Sequence, residues 1–294
     1  MSGLPPTEGH DPASAHIDAL DDAALARALI ETHRGAVDAA AGAAASVADA
    51  IALVADVLAG GGRVVTFGAG TSGRLGVLDA SELPPTFGWD PARWEGRIAG
   101  GDAALRRAIE GAEDDAEAGR RDAAGLGSCD AAIGVSASGG APYVRAALAE
   151  ARSNGARTIA LVNAPGAPLL DAAEVAIVVP TGPEPVTGST RLRAGSAQKI
   201  VLNAISTGAM IRLGKTYGNR MVDVVATNAK LRDRAVRLVR EIAGDVDAAA
   251  LLRDAGGSVK VAAVMARRGV KRAEAEVLLA AAGGRLAVVI GAPA

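Results

Sequence analysis

The sequence predicts an α/β fold, a parallel β-sheet with helices on both faces, followed by a smaller helical region. Short β-branched runs alternate with helical patterns in the first two thirds of the chain, at residues 63–67, 130–135, 158–162 and 175–179. This alternation is typical of parallel sheets. After about residue 235 the strand pattern ends, and three glycine-separated segments predict short helices, at residues 248–255, 258–267 and 271–281.

The segments around these strands predict the remaining elements. Residues 1–18 are rich in Pro, His and Asp and predict an irregular arm. Residues 21–59 are Ala-rich, and the spacing of Val47, Ile51, Val54 and Leu58 is helical. Further along, helices are predicted at residues 102–122, 142–153 and 192–213. Another helix begins near residue 75, and we expect it to end at Pro84-Pro85.

Composition excludes several classes of function. The 294 residues are 50% hydrophobic but only 2% aromatic, which argues against aromatic stacking platforms for bases. The formal net charge of −2 gives no basic surface for nucleic acid. The single Cys129 excludes an internal disulfide and a Cys-rich metal site, and His10, His16 and His33 show no metal-ligand spacing. The residues therefore give no indication of a metal site.

The sequence also predicts a cytoplasmic protein that does not engage a membrane. No basic segment followed by an apolar one marks a secretory signal at the N-terminus. The apolar run at residues 36–58 contains Asp38, Asp49 and Asp56, which is unfavourable for a membrane span.

The most informative motif is Gly68-Ala69-Gly70-Thr71-Ser72-Gly73-Arg74, between a predicted strand and a predicted helix. This arrangement presents backbone N–H groups and a helix dipole to an anion. It is also compatible with an ordinary Ser/Thr helix cap. A dinucleotide site requires an acid at the end of the next strand, and Ile98-Ala99-Gly100 has none. No G-x-x-x-x-G-K-[ST] motif is present, which argues against a P-loop.

Two later loops repeat this chemistry, at Ser136-Ala137-Ser138-Gly139-Gly140 and at Thr187-Gly188-Ser189-Thr190. Ligands of parallel α/β sheets bind at the carboxyl ends of the strands. The three loops together predict a site for a small phosphorylated substrate. The predicted binding residues are Gly70, Thr71, Ser72, Gly73, Ser136, Ser138, Ser189 and Thr190.

Two carboxylates are candidates for acid–base chemistry, although spacing alone favours a solvated position for both. Glu82 precedes the two prolines, and the negative end of a helix dipole disfavours ionisation there, as suits a general acid. On spacing alone, a solvated glutamate at a helix end is the favoured interpretation. Glu113 lies in an acidic run that is typical of a solvated helix face.

Taken together, these segments resemble the N-acetylmuramic acid 6-phosphate etherases of the sugar isomerase (SIS) superfamily. The resemblance covers nearly the whole chain. It is carried by Thr7-Glu8-Gly9, residues 68–76, Leu78-Asp79-Ala80-Ser81-Glu82, Glu110-Gly111-Ala112-Glu113-Asp114, residues 187–191, Ala197-Gln198-Lys199, Met221-Val222-Asp223-Val224 and Thr227-Asn228.

The resemblance implies an SIS-type sheet between helices and a reaction used in cell-wall amino-sugar recycling. Water and N-acetylmuramic acid 6-phosphate would give N-acetylglucosamine 6-phosphate and D-lactate by elimination and hydration. It implies that Glu82 is the acid that aids lactate departure and that Glu113 is the second acid–base group, at C2. It implies no metal or organic cofactor.

One departure from the family pattern affects the second loop. The family commonly has Ser-Gly-Arg-Thr-Pro there, whereas this chain has Ser138-Gly139-Gly140-Ala141-Pro142. A guanidinium and a hydroxyl are therefore missing. Phosphate binding is expected to depend more on Thr71, Ser72, Ser136 and the Ser189 loop.

Helix geometry adds an expectation about assembly. If residues 72–82 form one helix, ten steps of about 1.5 Å place Glu82 about 15 Å from the loop, beyond the reach of a hexose phosphate. Either the helix breaks near Gly76, or Glu82 completes the site of a neighbouring subunit. We predict a homodimer with shared sites near the subunit interface.

Two other functions stay open: a non-catalytic sugar-phosphate regulator and an aldose–ketose isomerase. We expect an arm and helix at 1–50, an SIS domain at 51–217 and a helical region at 218–294.

Overall fold

The computed structural model describes residues 5–224 and 229–293; Thr227 and Asn228 of the family pattern lie outside them. The N-terminal arm contains three single helical turns, Pro6–Glu8, Pro12–Ser14 and Ile17–Ala19. The Ala-rich segment forms three helices rather than one: α1 (Asp22–Glu31), α2 (Arg34–Gly42) and α3 (Ala44–Ala59). Val47, Val54 and Leu58 of the predicted stripe are buried on α3.

The central sheet has five parallel strands, which confirms the predicted fold class. They are β1 (Val64–Gly68), β2 (Trp94–Ile98), β3 (Ala131–Ser136), β4 (Arg157–Val162) and β5 (Val175–Val178). Their spatial order is β2-β1-β3-β4-β5, with Thr66 paired to Ile133 and Ile133 paired to Ile159. Every residue of β1 and β3 is buried, as expected for inner strands of a sheet covered on both faces.

Four helices connect and follow these strands: α4 (Gly70–Phe87), α5 (Ala116–Ala123), α6 (Pro142–Ser153) and α7 (Arg193–Arg212). α6 and α7 lie close to their predicted positions. Pro142 occupies the first turn of α6, where its missing N–H costs nothing.

Helix α4 packs tightly on the sheet because two glycines meet there. A Cβ on Gly73 would lie 2.6 Å from the Gly68 carbonyl oxygen and 2.6 Å from Ile98 Cγ1. Gly73 therefore allows α4 to approach β1 closely, and any side chain at this position would clash with Gly68 and Ile98.

The predicted end of α4 is wrong, since the helix continues through Pro84 and Pro85 to Phe87. The prolines lie in its last turn, where they remove only two backbone donors, and Gly88 N donates to the Pro84 carbonyl at 3.0 Å. Glu82 consequently lies five residues before the helix end, outside the last turn in which the dipole acts.

The single charged helix predicted at residues 102–122 is also wrong. The segment forms two single turns, Asp102–Leu105 and Ala112–Asp114, before α5 begins. Gly111 is in the left-handed conformation at φ 69°, and Asp115 Oδ1 caps α5 by accepting from Ala118 N at 2.9 Å.

The C-terminal region is mostly helical, as predicted. It contains β6 (Thr216–Tyr217), β7 (Arg220–Met221), α8 (Ala229–Ala243), α9 (Ala248–Asp254), α10 (Val259–Arg268), α11 (Arg272–Ala281) and α12 (Leu286–Ile290). Lys260 Nζ contacts Asp223 Oδ2 at 2.6 Å, and burial lowers the pKa of Lys260.

The chain divides into two compact units. One comprises Met1–Ser81 with Ala92–Ser206, and the other comprises Glu82–Pro91 with Thr207–Ala294. The three-part division expected from the sequence stays a prediction.

Within the described residues, no single helix has the length and hydropathy needed to span a membrane. The helices at residues 22–42 and 44–59 reach that length and hydropathy only when taken together, and the pair is bent by 63°.

Candidate functional site

The candidate site lies where the strand order changes direction. The chain passes from β1 to β2 on one side and then to β3 on the other, so the loops after β1 and β3 leave adjacent strands. Such a switch point is the usual ligand site of parallel α/β sheets. These loops border a pocket of about 420 Å³, whose polar lining includes Thr7, Glu8, Gly70, Thr71, Ser72, Glu113, Asp114, Ser136, Ser138, Gly140, Gly188 and Thr190.

The first loop offers backbone donors to this pocket. Gly70, Thr71 and Ser72 are the first residues of α4, so their N–H groups precede the intrahelical ladder and face an anion with the positive end of the dipole. Gly70 starts the helix at φ 53°, a conformation that glycine adopts without strain.

The Ser72 hydroxyl is already engaged by a buried chain of amides. Asn163 Nδ2 donates to the Val179 carbonyl at 3.0 Å, which orients the Asn163 amide because a carbonyl only accepts. Gln198 Nε2 then donates to Asn163 Oδ1 at 2.9 Å. Ser72 Oγ in turn donates to Gln198 Oε1 at 2.8 Å. The hydrogen that Ser72 offers to a ligand is therefore its backbone N–H.

The second loop offers hydroxyl donors. Ser136 Oγ accepts from Gly139 N at 3.1 Å, and Ser138 Oγ accepts from Gly140 N at 3.2 Å. A serine hydroxyl has one donor and two acceptor positions, so both hydroxyl hydrogens remain available to a ligand. The loop thus uses its own N–H groups to orient two donors.

The third loop is fixed by a buried carboxylate that sequence reasoning missed. Glu184 is fully buried and caps α7, accepting from Arg193 N at 2.8 Å and from Ala194 N at 2.9 Å. Gly188 and Thr190 line the pocket, whereas the predicted Ser189 does not. We call Thr71, Ser72, Ser136, Ser138 and Thr190 the hydroxyl set.

Glu113 reaches the pocket because it is on a turn rather than on a helix face. Gly100 allows this turn to pack close, since a Cβ there would lie 3.2 Å from Ala112 Cβ. Arg74 Nε donates to the Leu105 carbonyl at 3.2 Å and ties the preceding segment to α4. We call Glu113, its neighbour Asp114 and Glu8 the acid set.

Glu82 and Gly73 are not among the residues that line the pocket. Glu82 is exposed on α4, ten residues after Ser72, and the helix is unbroken between them. A break near Gly76, the first of the two expectations for Glu82, does not occur. Gly73 is instead one of the glycines that bring α4 close to β1.

Thr7 and Glu8 are pocket residues to which sequence reasoning gave no role. They belong to the resemblance pattern, which was the only available signal, because an irregular arm shows no periodicity. Thr7 is fully buried, and its hydroxyl has no hydrogen-bond partner among residues 5–224 and 229–293.

Three carboxylates but no Lys or Arg line the pocket within the described part of the chain. An anion bound there would rely on N–H and hydroxyl donors. The described residues include no group of three or more His, Cys, Asp or Glu side chains arranged to hold a metal ion. The expectation that no cofactor is needed stays a prediction.

Comparison with known proteins identifies the family. An N-acetylmuramic acid 6-phosphate etherase of Deinococcus radiodurans is 52% identical over 289 residues, covering 97% of this chain and 95% of the relative. An etherase of Gloeobacter violaceus is 51% identical over 288 residues, covering 97% and 94%. The chain belongs to the N-acetylmuramic acid 6-phosphate etherase family.

Two further comparisons agree with this etherase fold. The model of the glucokinase regulatory protein N-terminal SIS domain matches residues 46–152. The solved structure of E. coli CFT073 c3406 aligns with a TM-score of 0.51 at 16% identity, covering 68% of this chain and 97% of that one. At that identity the likeness concerns the fold alone.

Proposed function

We propose that this etherase converts N-acetylmuramic acid 6-phosphate and water to N-acetylglucosamine 6-phosphate and D-lactate. One observation carries the proposal: Glu113 lines the same pocket as the N–H and hydroxyl donors of the first two loops. The phosphate would bind these donors, and the carboxylate would face the carbons of the sugar. Family membership at about 50% identity favours this reaction over a regulator or an isomerase.

The first half of the proposed reaction is an elimination on the open-chain sugar. The C1 aldehyde acidifies the proton at C2, and Glu113 takes that proton. The electrons of the C2–H bond form a C2–C3 double bond, while the C3–O bond breaks and its electron pair leaves with the lactyl oxygen. Glu82 supplies the proton that this oxygen needs.

The second half is a hydration. Water attacks C3 of the conjugated aldehyde after losing a proton to the carboxylate that Glu82 has become. Glu113 returns its proton to C2. Both carboxyl groups regain their starting states, so each cycle consumes one phosphosugar and one water and needs no other reactant.

Glu82 would act in the site of a second copy of the chain. It lies about 15 Å along an unbroken helix from the N–H groups that would hold the phosphate, which is longer than a hexose phosphate. We therefore propose a homodimer in which Glu82 of the partner subunit completes each pocket. We also propose that the enzyme works in the cytoplasm.

The surface next to Glu82 suits such an interface. Leu78, one turn before Glu82 on α4, is 49% exposed, and Ile200 on α7 is 36% exposed. The two helices are joined by Asp79 Oδ1, which accepts from Asn203 Nδ2 at 2.5 Å and from Ser206 Oγ at 3.0 Å. A second copy would cover apolar surface that the single chain leaves in water.

Release of D-lactate from N-acetylmuramic acid 6-phosphate tests the activity. The etherase predicts lactate and N-acetylglucosamine 6-phosphate in equal amounts. Tight binding of the phosphosugar without lactate release would favour the regulator. Interconversion of aldose and ketose phosphates without loss of lactate would favour the isomerase.

Mixed dimers test the sharing of Glu82. Glu82→Gln and Glu113→Gln proteins, each inactive alone, are unfolded and refolded together. If Glu82 serves the partner's pocket, each mixed dimer has one intact site, and random pairing restores about a quarter of the wild-type activity. No recovery in confirmed mixed dimers contradicts the sharing.

A further inference from the structure

We propose that Thr7 and Glu8 of the N-terminal arm bind the polar groups of the sugar and give the pocket its preference for an amino-sugar phosphate over bare phosphate. The proposal rests on the proposed function, because it assigns two further residues to the same pocket. Sequence reasoning placed neither of them in a site.

The first argument is the Thr7 hydroxyl. Thr7 is fully buried, it lines the pocket, and its Oγ1 finds no hydrogen-bond partner in the described part of the chain. Buried hydroxyls in proteins are almost always bonded. A ligand in the pocket would supply the missing partner, and a hydroxyl can both donate to and accept from a sugar.

The second argument is the charge of Glu8. Glu8 is exposed and lines the pocket, and its carboxylate forms no hydrogen bond or ion pair with other described residues. A carboxylate only accepts hydrogen bonds and repels phosphate, so its complement is a donor such as a sugar hydroxyl or an acetamido N–H. Gly188 leaves room for it, since a Cβ there would lie 3.0 Å from Glu8 Oε2.

The third argument is that the arm is anchored next to the pocket. Arg193 Nη2 pairs with Asp11 Oδ2 at 2.7 Å, with both side chains mostly buried, and Arg193 Nη1 donates to the Pro183 carbonyl at 2.7 Å. His10 Nδ1 lies 3.2 Å from Thr187 Oγ1. Both anchors come from the segment that carries Gly188 and Thr190, so the arm and the third loop hold one another in place.

These contacts divide the recognition of the ligand between two chemistries. The N–H groups at the start of α4 and the hydroxyls of Ser136 and Ser138 donate, as a phosphate requires. Thr7 and Glu8 provide acceptors, as a polyhydroxylated amino sugar requires. A ligand with only a phosphate satisfies the first group and leaves the second unused.

Binding measurements on the full chain test this division. The probes are N-acetylglucosamine 6-phosphate and inorganic phosphate, measured by calorimetry for Thr7→Val and Glu8→Gln. Thr181→Val is a matched control, because Thr181 Oγ1 is also buried without a partner in the described residues but does not line the pocket. Glu31→Gln is the control for an exposed carboxylate outside this pocket.

Thr7→Val should weaken binding of the amino-sugar phosphate about 5-fold, the effect of one lost neutral hydrogen bond. Glu8→Gln should weaken it about 10-fold, since a charged acceptor is lost. Inorganic phosphate should bind Thr7→Val as it binds wild type, and Glu8→Gln equally or more tightly. Both controls should keep wild-type affinities, and all four variants should keep the wild-type Tm within about 2 °C.

Three results would overturn the inference: wild-type affinity of both variants for the amino-sugar phosphate, equal weakening for both probes, or a lower kcat of Glu8→Gln with unchanged binding. Wild-type lactate release is measured first, so loss of the proposed function is seen separately. If Thr7→Val does not fold, the binding measurements on Glu8→Gln test the inference alone, because that substitution alters an exposed side chain.

Discussion

The hydroxyl set and the acid set line one pocket but are built in opposite ways. Two of the five hydroxyl residues lie in the first turn of α4, two lie at or just after the end of β3, and the fifth lies just before α7. The acid set comes from an irregular arm and from an isolated turn. The groups that would hold the phosphate are positioned mainly by α4 and β3. Those that would face the sugar are positioned by glycines, helix caps and the ion pair between Asp11 and Arg193.

This difference separates recognition of the phosphate from contacts with the sugar. Phosphate recognition needs fixed donors, which helix N-termini and strand-end loops provide without special side chains. Groups that face the sugar must match one substrate, and irregular segments carry Glu8 and Glu113 without altering the sheet. Loss of Glu113 should therefore lower kcat, whereas changes in the phosphate loops should raise the KM.

The largest expected effect comes from the acid set. Glu113→Gln keeps the shape of the side chain but removes the base, so kcat should fall about 10²- to 10⁴-fold. Lactate release and exchange of the C2 proton with solvent deuterium should fall together. Glu110→Gln, three residues earlier, exposed and outside the pocket lining, is the control and should keep wild-type kcat. Wild-type turnover by Glu113→Gln would remove Glu113 from the chemistry.

The next effect tests how the hydroxyl set is held. Gln198→Leu leaves Ser72 Oγ and Asn163 Oδ1 without their partner in a buried position. The free energy of unfolding, measured by urea titration, should fall by about 1–3 kcal/mol. The KM of the substrate should rise while kcat stays close to wild type. A fall in kcat at unchanged KM would show that the two sets are not separate.

A gain of binding is expected from restoring the family's cation. A Cβ on Gly140 would meet Ser138 Oγ at 3.4 Å, an ordinary contact, so Gly140→Arg fits the backbone. Its guanidinium should lower the KM about 5-fold through a charge-assisted bond to the phosphate, and added salt should reduce the gain. Gly140→Ala is the matched control, and an equal gain there would rule out the charge as the cause.

The smallest effect concerns Asp79, which joins α4 to α7. Burial raises the pKa of Asp79 above its ordinary 3.8, against the lowering effects of the bonds from Asn203 and Ser206 and the charge of Lys199. The folded state therefore keeps this proton to higher pH than the unfolded state. Stability contributed by Asp79 is complete below about pH 4 and is lost as pH rises through the folded pKa.

Asp79→Asn removes the titration of residue 79. The substitution also changes the free energy of unfolding by a constant amount that does not depend on pH. The variant's free energy of unfolding relative to wild type should increase as pH rises from 4 to 8, because only the wild type loses the stability of the protonated Asp79. Urea titrations at several pH values measure the difference. A difference that stays constant with pH would show that burial does not perturb Asp79.

The sequence predicted the sheet and the hydroxyl loops because both depend on local patterns. β-branched runs mark the inner strands, and Ser, Thr and Gly mark the loops that leave them. Pocket residues Thr71, Ser136 and Ser138 were therefore found from the residues alone. Glu113 gained its proposed role only from the family resemblance, because an acidic run looks like a solvated helix face until Gly111 breaks that helix.

The remaining features depend on contacts between distant parts of the chain. Thr7 and Glu8 join the pocket through the pairing of Asp11 with Arg193, which are 182 residues apart. Gln198 orients Ser72 across 126 residues. The local rule that proline ends a helix also failed for α4. The helix continues through Pro84 and Pro85 because both lie in its last turn, where few backbone hydrogen bonds are lost.

A pocket with three carboxylates and no Lys or Arg in its described lining has a consequence for encounter rates. The proposed substrate carries a phosphate and a lactyl carboxylate, so the three lining carboxylates repel it as it approaches, and N–H and hydroxyl dipoles attract it only at contact. Added salt screens the long-range part and leaves the contacts. Moderate ionic strength should therefore quicken substrate capture, the reverse of the usual behaviour of sites that attract phosphates with cations.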